Sequence, residues 1–191
     1  EHNFIFLVDG KLISNSFDYE DKNNIIVKDY NYKNEVKLDI QSSLTLLNNA
    51  LATGGFTLEV SKNYKFIKPL VIYNYFSKNL KESVINNKNS IILNDNTELT
   101  LINYTDDDTK DNFMTNTIDN IIVKKNASLK NIFINKSRCN GYFYRYIKSE
   151  LKQGSSYENY LLSSGIKFNK LDIEICLLYT SDAAAEEDSV D

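Results

Sequence analysis

The segment Val-Lys-Lys-Asn-Ala-Ser-Leu, residues 123–129, sets the interpretation of the chain because its pattern recurs three more times. The pattern is an apolar residue, two residues of any type, Asn or Gly, two more residues and a second apolar residue. The four copies cover residues 60–66, 93–99, 123–129 and 151–157, and their starts lie 33, 30 and 28 residues apart. A regular period of this length is typical of architectures in which successive units stack on one another.

The central residue of the pattern predicts how each unit turns. It is Asn63, Asn96, Asn126 and Gly154 in the four copies, and Asn and Gly are the residues that most readily adopt a left-handed backbone conformation. A strand that enters such a corner and leaves as another strand builds one coil of a β-solenoid. Further short strands are predicted between the corners, at residues 70–73, 113–115, 142–144 and 171–175.

An antiparallel β-sandwich is the competing fold for this region. It predicts two-residue hairpin turns of the Asn-Gly type between successive strands, and Asn140-Gly141 is the single such dipeptide between residues 56 and 176. The pattern therefore favours stacked coils over a sandwich.

The first 55 residues have a different character. Phe4, Phe6 and Val8 alternate with other residues and are followed by Asp9-Gly10, which predicts a β-hairpin, and residues 25–27 predict another short strand. Residues 41–52 predict the one helix: Ser42 or Ser43 can cap it, Gly54-Gly55 ends it, and its apolar face carries the residues Leu44, Leu47, Ala50 and Leu51.

These patterns predict an all-β-dominated chain in three parts. Residues 1–55 form a small N-terminal α+β subdomain, residues 56–176 form the first half of a β-helix, and residues 177–191 form a tail. The tail has a different composition, with three consecutive alanines and five of the 26 acidic residues in its last ten positions. Codons for Cys176–Ala184 can be written as a string that resembles the transposon end used as a sequencing-library adapter. We therefore expect the tail to be non-native and disordered.

Composition limits the function classes. Outside the last ten residues the chain has 22 basic and 21 acidic side chains, a balance that indicates no nucleic-acid partner. No window has the roughly 18–20 consecutive apolar residues of a membrane helix, and no secretory signal pattern opens the chain. Two cysteines, Cys139 and Cys176, are too few for a disulfide framework, and we expect a reduced cytoplasmic protein.

Candidate chemical groups are few. His2 is the single histidine, which argues against a catalytic triad or a histidine metal site. The acidic run Asp106–Asp108 with Asp111 lacks the spacing and glycine of an EF-hand. The remaining candidates are the glycosylation-type triplets at Asn103, Asn126 and Asn135, the thiol of Cys139 beside Arg138, and the aromatic group Tyr142, Phe143, Tyr144 and Tyr146. Each has a simpler structural explanation, the aromatic group as lining of the core and the neighbouring face. The sequence thus predicts no catalytic, cofactor-binding or metal-binding residue and no enzymatic activity.

Several segments, taken in order, resemble SufD-type iron–sulfur cluster assembly proteins. FIFLVDGKLIS at residues 4–14 is similar to the start of the family's shared region, and SSLTLLNNALATGGFTLEVSKNYKFIKPLVIYNYF at 42–76 resembles its helix, glycine and "kPl-x-I" strand. INYTDDDTKDNFMTNTIDNIIVKKNASLKNIFINKS at 102–137 and YENYLLSSGIKFNKLDIEI at 157–175 resemble later coils. The resemblance covers residues 4–175 without large gaps.

The resemblance implies a right-handed parallel β-helix after a small N-terminal subdomain. It implies a non-enzymatic scaffold subunit that pairs with a SufB-like paralogue and a SufC-like ATPase. The complex would assemble an iron–sulfur cluster and use ATP through SufC, while this chain itself would bind no cofactor. In the family, the late coils that meet SufB and the C-terminal helices that meet SufC follow the region matched here, so the resemblance transfers no functional residue.

Two alternatives remain open from the sequence. A carbohydrate-binding or pectin-lyase-like β-helix would need a cleft of acidic and basic groups, and Arg138 and Arg145 are the only arginines. A surface adhesin solenoid has only the three glycosylation-type triplets in its favour.

Overall fold

The computed structural model describes residues 2–30, 42–135, 140–164 and 166–178. These residues form twelve strands, one α-helix and one 3₁₀ turn at Lys22–Asn24. The helix is α1 (Ser43–Leu51). The strands are β1 (Asn3–Val8), β2 (Lys11–Ser16), β3 (Ile25–Asp29), β4 (Gly54–Val60), β5 (Leu70–Phe76), β6 (Ser83–Leu93), β7 (Glu98–Asp107), β8 (Phe113–Val123), β9 (Ser128–Asn135), β10 (Gly141–Lys152), β11 (Ser156–Ser163) and β12 (Phe168–Leu178).

The strands stack as a parallel β-helix with two walls. One wall contains β1, β5, β7, β9 and β11, and we call it the aromatic wall; the other contains β4, β6, β8, β10 and β12, and we call it the helix wall because α1 packs on its outer face. Within each wall all neighbouring strands pair in parallel. Four successive coils run from a strand of the helix wall to one of the aromatic wall, and β12 begins a fifth. The predicted β-solenoid is confirmed.

The predicted corners lie between the two walls and have the predicted backbone. The φ angles of Asn63, Asn96 and Asn126 are 64°, 56° and 55°, and that of Gly154 is 69°. The corners also bond to one another: Asn96 Nδ2 donates to Asn63 Oδ1 at 2.8 Å, and Asn126 Nδ2 donates to Asn96 Oδ1 at 3.3 Å. A Cβ atom on Gly154 would overlap Asn126 Oδ1, so a side chain at the fourth corner would require the Asn126 amide to shift.

The N-terminal hairpin is confirmed and joins both walls. β1 and β2 are antiparallel around Asp9 and Gly10, whose φ angles of 49° and 81° match a primed hairpin turn. β1 pairs in parallel with β5 and β2 pairs with β4, so the hairpin belongs to the same sheet as the coils. The buried side of β1 carries Ile5 and Leu7, while the alternating residues named above lie on the outer side.

Helix α1 packs through polar residues. Its N-cap is Ser42, which makes no side-chain capping bond, and its fully buried side chains are Thr45 and Asn48. Leu47 and Leu51 are 41% and 53% exposed. The predicted helix is therefore present, but its apolar face is largely turned to solvent.

The interior of the coils is apolar beside the Asn corners. Its buried members include Leu58, Val60, Leu93, Leu101 and Val123. β12 continues to Leu178, and residues 179–191 of the predicted tail lie outside the described residues. Within the described ranges no helix has the length and apolar character needed to cross a membrane.

Candidate functional site: a polar cluster inside the β-helix

Polar side chains occupy part of the interior half that lies away from the Asn corners, beside the buried aromatic cluster of Phe76, Phe113 and Phe143. Inward-facing positions of β6, β8 and β10 carry Asn89, Asp119 and Arg145. In the backbone register Asn89 pairs with Asp119, and Asp119 pairs with Ile147 on β10. Arg145 is the preceding inward-facing residue of β10, two positions before Ile147. Inward-facing strand positions of stacked coils are normally apolar, so this group marks the interior as chemically distinct.

An ion pair forms the centre of the group. Arg145 Nη1 donates to Asp119 Oδ2, and Asn89 Nδ2 donates to Asp119 Oδ1 at 2.8 Å. The Asp119 side chain is 4% exposed and that of Arg145 is 18% exposed. The guanidinium carbon also lies 4.7 Å from the ring centroid of Phe133 on the opposite wall, a cation–π distance. Both charges are therefore paired and held in place.

The opposite wall adds neutral polar groups. Asn103 Nδ2 donates to Asn131 Oδ1 at 2.8 Å. Asn159 on β11 pairs with Asn131 and accepts a 3.1 Å hydrogen bond from the Tyr157 hydroxyl. Burial raises the pKa of Tyr157 to about 12, so its hydroxyl stays protonated at neutral pH. Four buried amide atoms in this half of the interior make no hydrogen bond to protein: Asn74 Nδ2, Asn87 Oδ1, Asn89 Oδ1 and Asn169 Nδ2. These atoms can hydrogen-bond water or a small polar molecule.

A cavity reaches this cluster near the last coil. Its volume is about 20 Å³, room for about one water molecule, and it is partly open to solvent. Its lining mixes polar and apolar side chains: Thr105, Thr115, Phe133, Asn135, Phe143, Tyr144, Arg145, Leu161, Asn169 and Leu171. The cavity can hold a water molecule, and Arg145 is the one cation in its lining.

The chemistry available to this cluster is hydrogen bonding and charge pairing. The Arg145 guanidinium supplies N–H donors, and its carboxylate partner already accepts two hydrogen bonds. Among the described residues no group of three or more His, Cys, Asp or Glu side chains has a metal-binding arrangement. The cluster therefore offers N–H donors and amide groups for hydrogen bonding.

A second polar network lies on the outer face of the helix wall. Asn48 Nδ2 donates to the backbone oxygens of Asn87 and Asn116, at 2.9 and 2.5 Å. Asn116 Nδ2 in turn donates to Leu44 O at 2.7 Å and to Asn86 Oδ1 at 3.0 Å. These bonds tie α1 to two successive coils. Gly55, in the strand that follows the helix, allows β4 to lie close to β6, because a Cβ atom at this position would overlap the carbonyl oxygen of Lys88.

The structure places His2 and the acidic run apart from the polar cluster, whereas Asn103 belongs to it. His2 Nε2 lies 2.8 Å from Tyr73 Oη on the outer face of the aromatic wall. In the acidic run, Asp106 Oδ1 accepts from the backbone of Asp107, and Asp107 Oδ2 accepts from Asn140 N at 3.3 Å. These carboxylates stabilise the loop that follows β7.

The glycosylation-type triplets differ in accessibility. Asn103 is buried and its amide is bonded to Asn131, so it is inaccessible in the folded chain. Asn126 is exposed at a corner. The triplet that begins at Asn135 extends into residues 136–139, which lie outside the described residues together with Arg138 and Cys139. Cys176 is a free thiol on β12.

The aromatic group at residues 142–146 divides between two environments, as predicted. Phe143 packs inside with Phe76 and Phe113, whereas Tyr144 and Tyr146 are buried on the outer face of the helix wall. The Tyr146 hydroxyl donates to Glu174, and burial followed by this bond raises its pKa.

The polar cluster itself was missed by sequence reasoning. A signal was present in the same period that identified the corners, because Asn89 and Asp119 are 30 residues apart like the corners of their coils. Aligning the strands on the Asn corners would have placed these side chains on one inward row.

No protein-family model matches the chain, and no curated protein is similar enough in sequence to match it.

Proposed function

We propose that this chain is a non-enzymatic scaffold subunit for iron–sulfur cluster assembly, of the SufD type, which acts in the cytoplasm with a SufB-like paralogue and a SufC-like ATPase. The observation that carries the proposal is that the fold implied by the family resemblance agrees with the strand pairing in the structure. The resemblance of the segments to SufD-type proteins implies a parallel β-helix, and the strands pair as one.

Three local features support the proposal at the positions that carry the resemblance. The helix-and-glycine segment forms α1 followed by β4, with Gly55 at a φ of 121°. The Lys-Pro-Leu segment starts β5 at Leu70. The Asn-Ala-Ser-Leu segment forms the corner at Asn126. A scaffold role also suits an interior in which Asp119 and Arg145 are paired with each other.

Co-purification of the complete gene product tests the proposal. The product that contains these residues would be tagged and co-expressed with the SufB-like and SufC-like proteins of the same genome. We expect both partners to be retained through size-exclusion chromatography at a fixed stoichiometry, and neither partner to be retained by the affinity resin alone. A correctly folded protein that retains neither partner would contradict the proposal.

The carbohydrate-binding or pectin-lyase-like module is the alternative hypothesis, and the same preparation addresses it. Thermal unfolding would be measured with and without oligogalacturonides. A shift of the midpoint to higher temperature with oligosaccharide, together with no partner retention, would favour the alternative.

A further inference from the structure

A buried hydrogen-bond donor on the last described strand has no protein partner. The Nδ2 atom of Asn169 on β12 is shielded from solvent and makes no hydrogen bond within the described residues. Buried N–H groups in folded proteins almost always have a partner, which is either a protein group or an ordered water molecule. Because Asn169 lines the cavity described above, the acceptor for this donor is expected inside that cavity.

The stacking of the coils gives Asn169 an unusual set of neighbours. The inward-facing residues of the helix wall pair in the order Ile85, Thr115, Phe143 and Asn169 from β6 to β12, so apolar and polar side chains alternate along this row. The backbones of Thr115 and Asn169 are two strand spacings apart, which is about 10 Å. Two short side chains at this spacing do not reach each other, but a small molecule between them can bond to both.

The aromatic wall supplies polar groups on the opposite side of the cavity. Thr105 pairs with Asn135 in the parallel register, and both residues line the cavity. Thr105 and Thr115 are 6% and 4% exposed, so both residues are buried. The guanidinium of Arg145 adds N–H donors to the same lining. The cavity therefore has at least the two to four polar partners that a buried water molecule needs.

We propose that this cavity binds one internal water molecule, which accepts a hydrogen bond from Asn169 Nδ2 and is held on its other side by the hydroxyls of Thr105 and Thr115. The volume of about 20 Å³ exceeds the roughly 10–15 Å³ that one water needs and leaves no room for a larger ligand. A hydroxyl can donate and accept, so it can pair with either end of the water dipole. The site goes beyond the proposed scaffold role and does not depend on it.

The charge balance of the cavity favours water over an anion. Arg145 is the one cation in the lining, and it already donates to Asp119. An anion in the cavity would lie close to this pair with no net positive charge to hold it, and a buried unpaired charge is costly. A neutral molecule that both donates and accepts hydrogen bonds suits the mixed lining without that cost.

The bound water fastens the last described strand to the coils beneath it. The other inward-facing residues of β12 have little cover, since Ile173, Ile175 and Leu177 are 42%, 51% and 54% exposed. Apolar burial therefore stabilises β12 less than it stabilises the earlier strands. A water between Asn169 and the hydroxyls on β7 and β8 connects β12 with two strands that it does not pair with, and this connection opposes local opening of β12.

Nuclear Overhauser spectroscopy between water and the isotope-labelled full chain tests the site in solution. We expect cross-peaks between water and the side-chain amide hydrogens of Asn169, because a bound water stays long enough to transfer magnetisation. Asn103 is the internal control, since its Nδ2 is buried and donates to Asn131, and neither residue lines the cavity. No comparable cross-peak is expected at Asn103.

Valine variants of the threonines test the proposed partners. Thr105→Val combined with Thr115→Val removes both hydroxyls and keeps the side-chain shape. It should abolish or strongly weaken the Asn169 cross-peaks and make hydrogen exchange of the β12 amides about fivefold faster. Thr117→Val is the matched control, because Thr117 is 3% exposed on the same strand as Thr115 but does not line the cavity. It should leave both readouts unchanged.

Circular dichroism checks that each variant folds, and Thr115→Val alone replaces the double variant if that variant unfolds. Four results would overturn the proposal. The first is a folded wild type without a water cross-peak at Asn169, and the second is a cross-peak of equal strength at Asn103, which would indicate general entry of solvent. The third is a cross-peak that the double variant leaves intact or that Thr117→Val weakens equally. The fourth is a chloride titration that shifts the Asn169 side-chain resonances, because that result assigns the cavity to an anion.

Discussion

The two outer faces of this β-helix reverse the usual relation between hydrophobicity and burial. On the helix wall, polar side chains such as Asn86, Lys88 and Asn116 are each 7% exposed or less. On the outer face of the aromatic wall, Ile102, Tyr104 and the neighbouring Val71 and Ile132 are uncharged and mostly apolar and yet only half-buried. The difference teaches that α1 is positioned by the hydrogen bonds it can make, and not by the most apolar surface available.

The packing of α1 on the helix wall has an electrostatic consequence, which is seen in the pKa of Lys88. Burial lowers the pKa of its ammonium group, and its Nζ lies 5.9 Å from the ring centroid of Tyr30. An aliphatic stem can pack on apolar surface while the charged end needs polar partners. The covered face therefore carries a cost in desolvation that the open face does not have.

The largest expected effect comes from removing the anchor of the covered face. Asn48→Ala deletes both hydrogen bonds from α1 to the coils and leaves a cavity, so the free energy of unfolding should fall by about 2–4 kcal/mol. Urea unfolding measures it. Asn49→Ala, one position along the same helix, is the control and should change stability by less than about 1 kcal/mol. If the two variants lost the same stability, the hydrogen bonds of Asn48 would not be what holds α1 in place.

The next largest effect is a pH dependence of the free energy of unfolding, which comes from Tyr157 in the interior between the two walls. Tyr157 ionises near pH 10 in an unfolded chain and at about 12 in the folded one, so its contribution is complete below pH 10 and is lost as the pH rises to 12. The loss should reach roughly 2 kcal/mol. Unfolding free energies of the wild type and Tyr157→Phe, measured from pH 8 upward, should converge. A constant difference between them would show that ionisation of this hydroxyl is not involved.

A smaller effect is expected at the corners that connect the walls. Asn96→Ala places a Cβ residue without a polar side chain at a φ of 56° and removes the bonds to Asn63 and Asn126, which should cost about 1–2 kcal/mol. Asn96→Gly relieves the backbone strain and should cost less than Asn96→Ala. Thermal unfolding compares the two. The reverse order would show that the side-chain ladder matters more than the left-handed backbone.

The smallest effect is expected on the open face. Ile102→Thr keeps the β-branched shape and removes apolar contact with its strand neighbours Val71 and Ile132, so stability should fall by only about 0.5–1 kcal/mol. Chemical unfolding measures it. A loss above about 2 kcal/mol would mean that this face behaves as a buried core, and the contrast between the two faces would fail.

Much of the fold could be predicted because its decisive signals are local. A residue with positive φ is restricted to few types, so Asn63, Asn96, Asn126 and Gly154 identify the corners from residue type and spacing alone. The Asp9-Gly10 turn is identified in the same way. The helix at 43–51 also follows from local signals, in its case periodicity and the flanking Ser and Gly residues.

The inward face of a strand could not be predicted where both faces are apolar. In β1, Phe4, Phe6 and Val8 alternate with Ile5 and Leu7, and only the pairing of Ile5 with Ile72 shows which set lines the interior. The candidate site has the same difficulty. Asn89, Asp119 and Arg145 are unremarkable polar residues along the chain until stacking brings them together.

Local backbone preference and period were therefore enough to define the strands, the corners and the stacked architecture. Which side chains meet was decided by the register between coils that are about 30 residues apart in sequence, because hydrogen bonds such as that between Asn89 and Asp119 exist only after stacking. The same holds for the two outer faces. The contacts of Asn48 with two coils determine which face is covered, and no local pattern in α1 specifies backbone oxygens that lie 39 and 68 residues away.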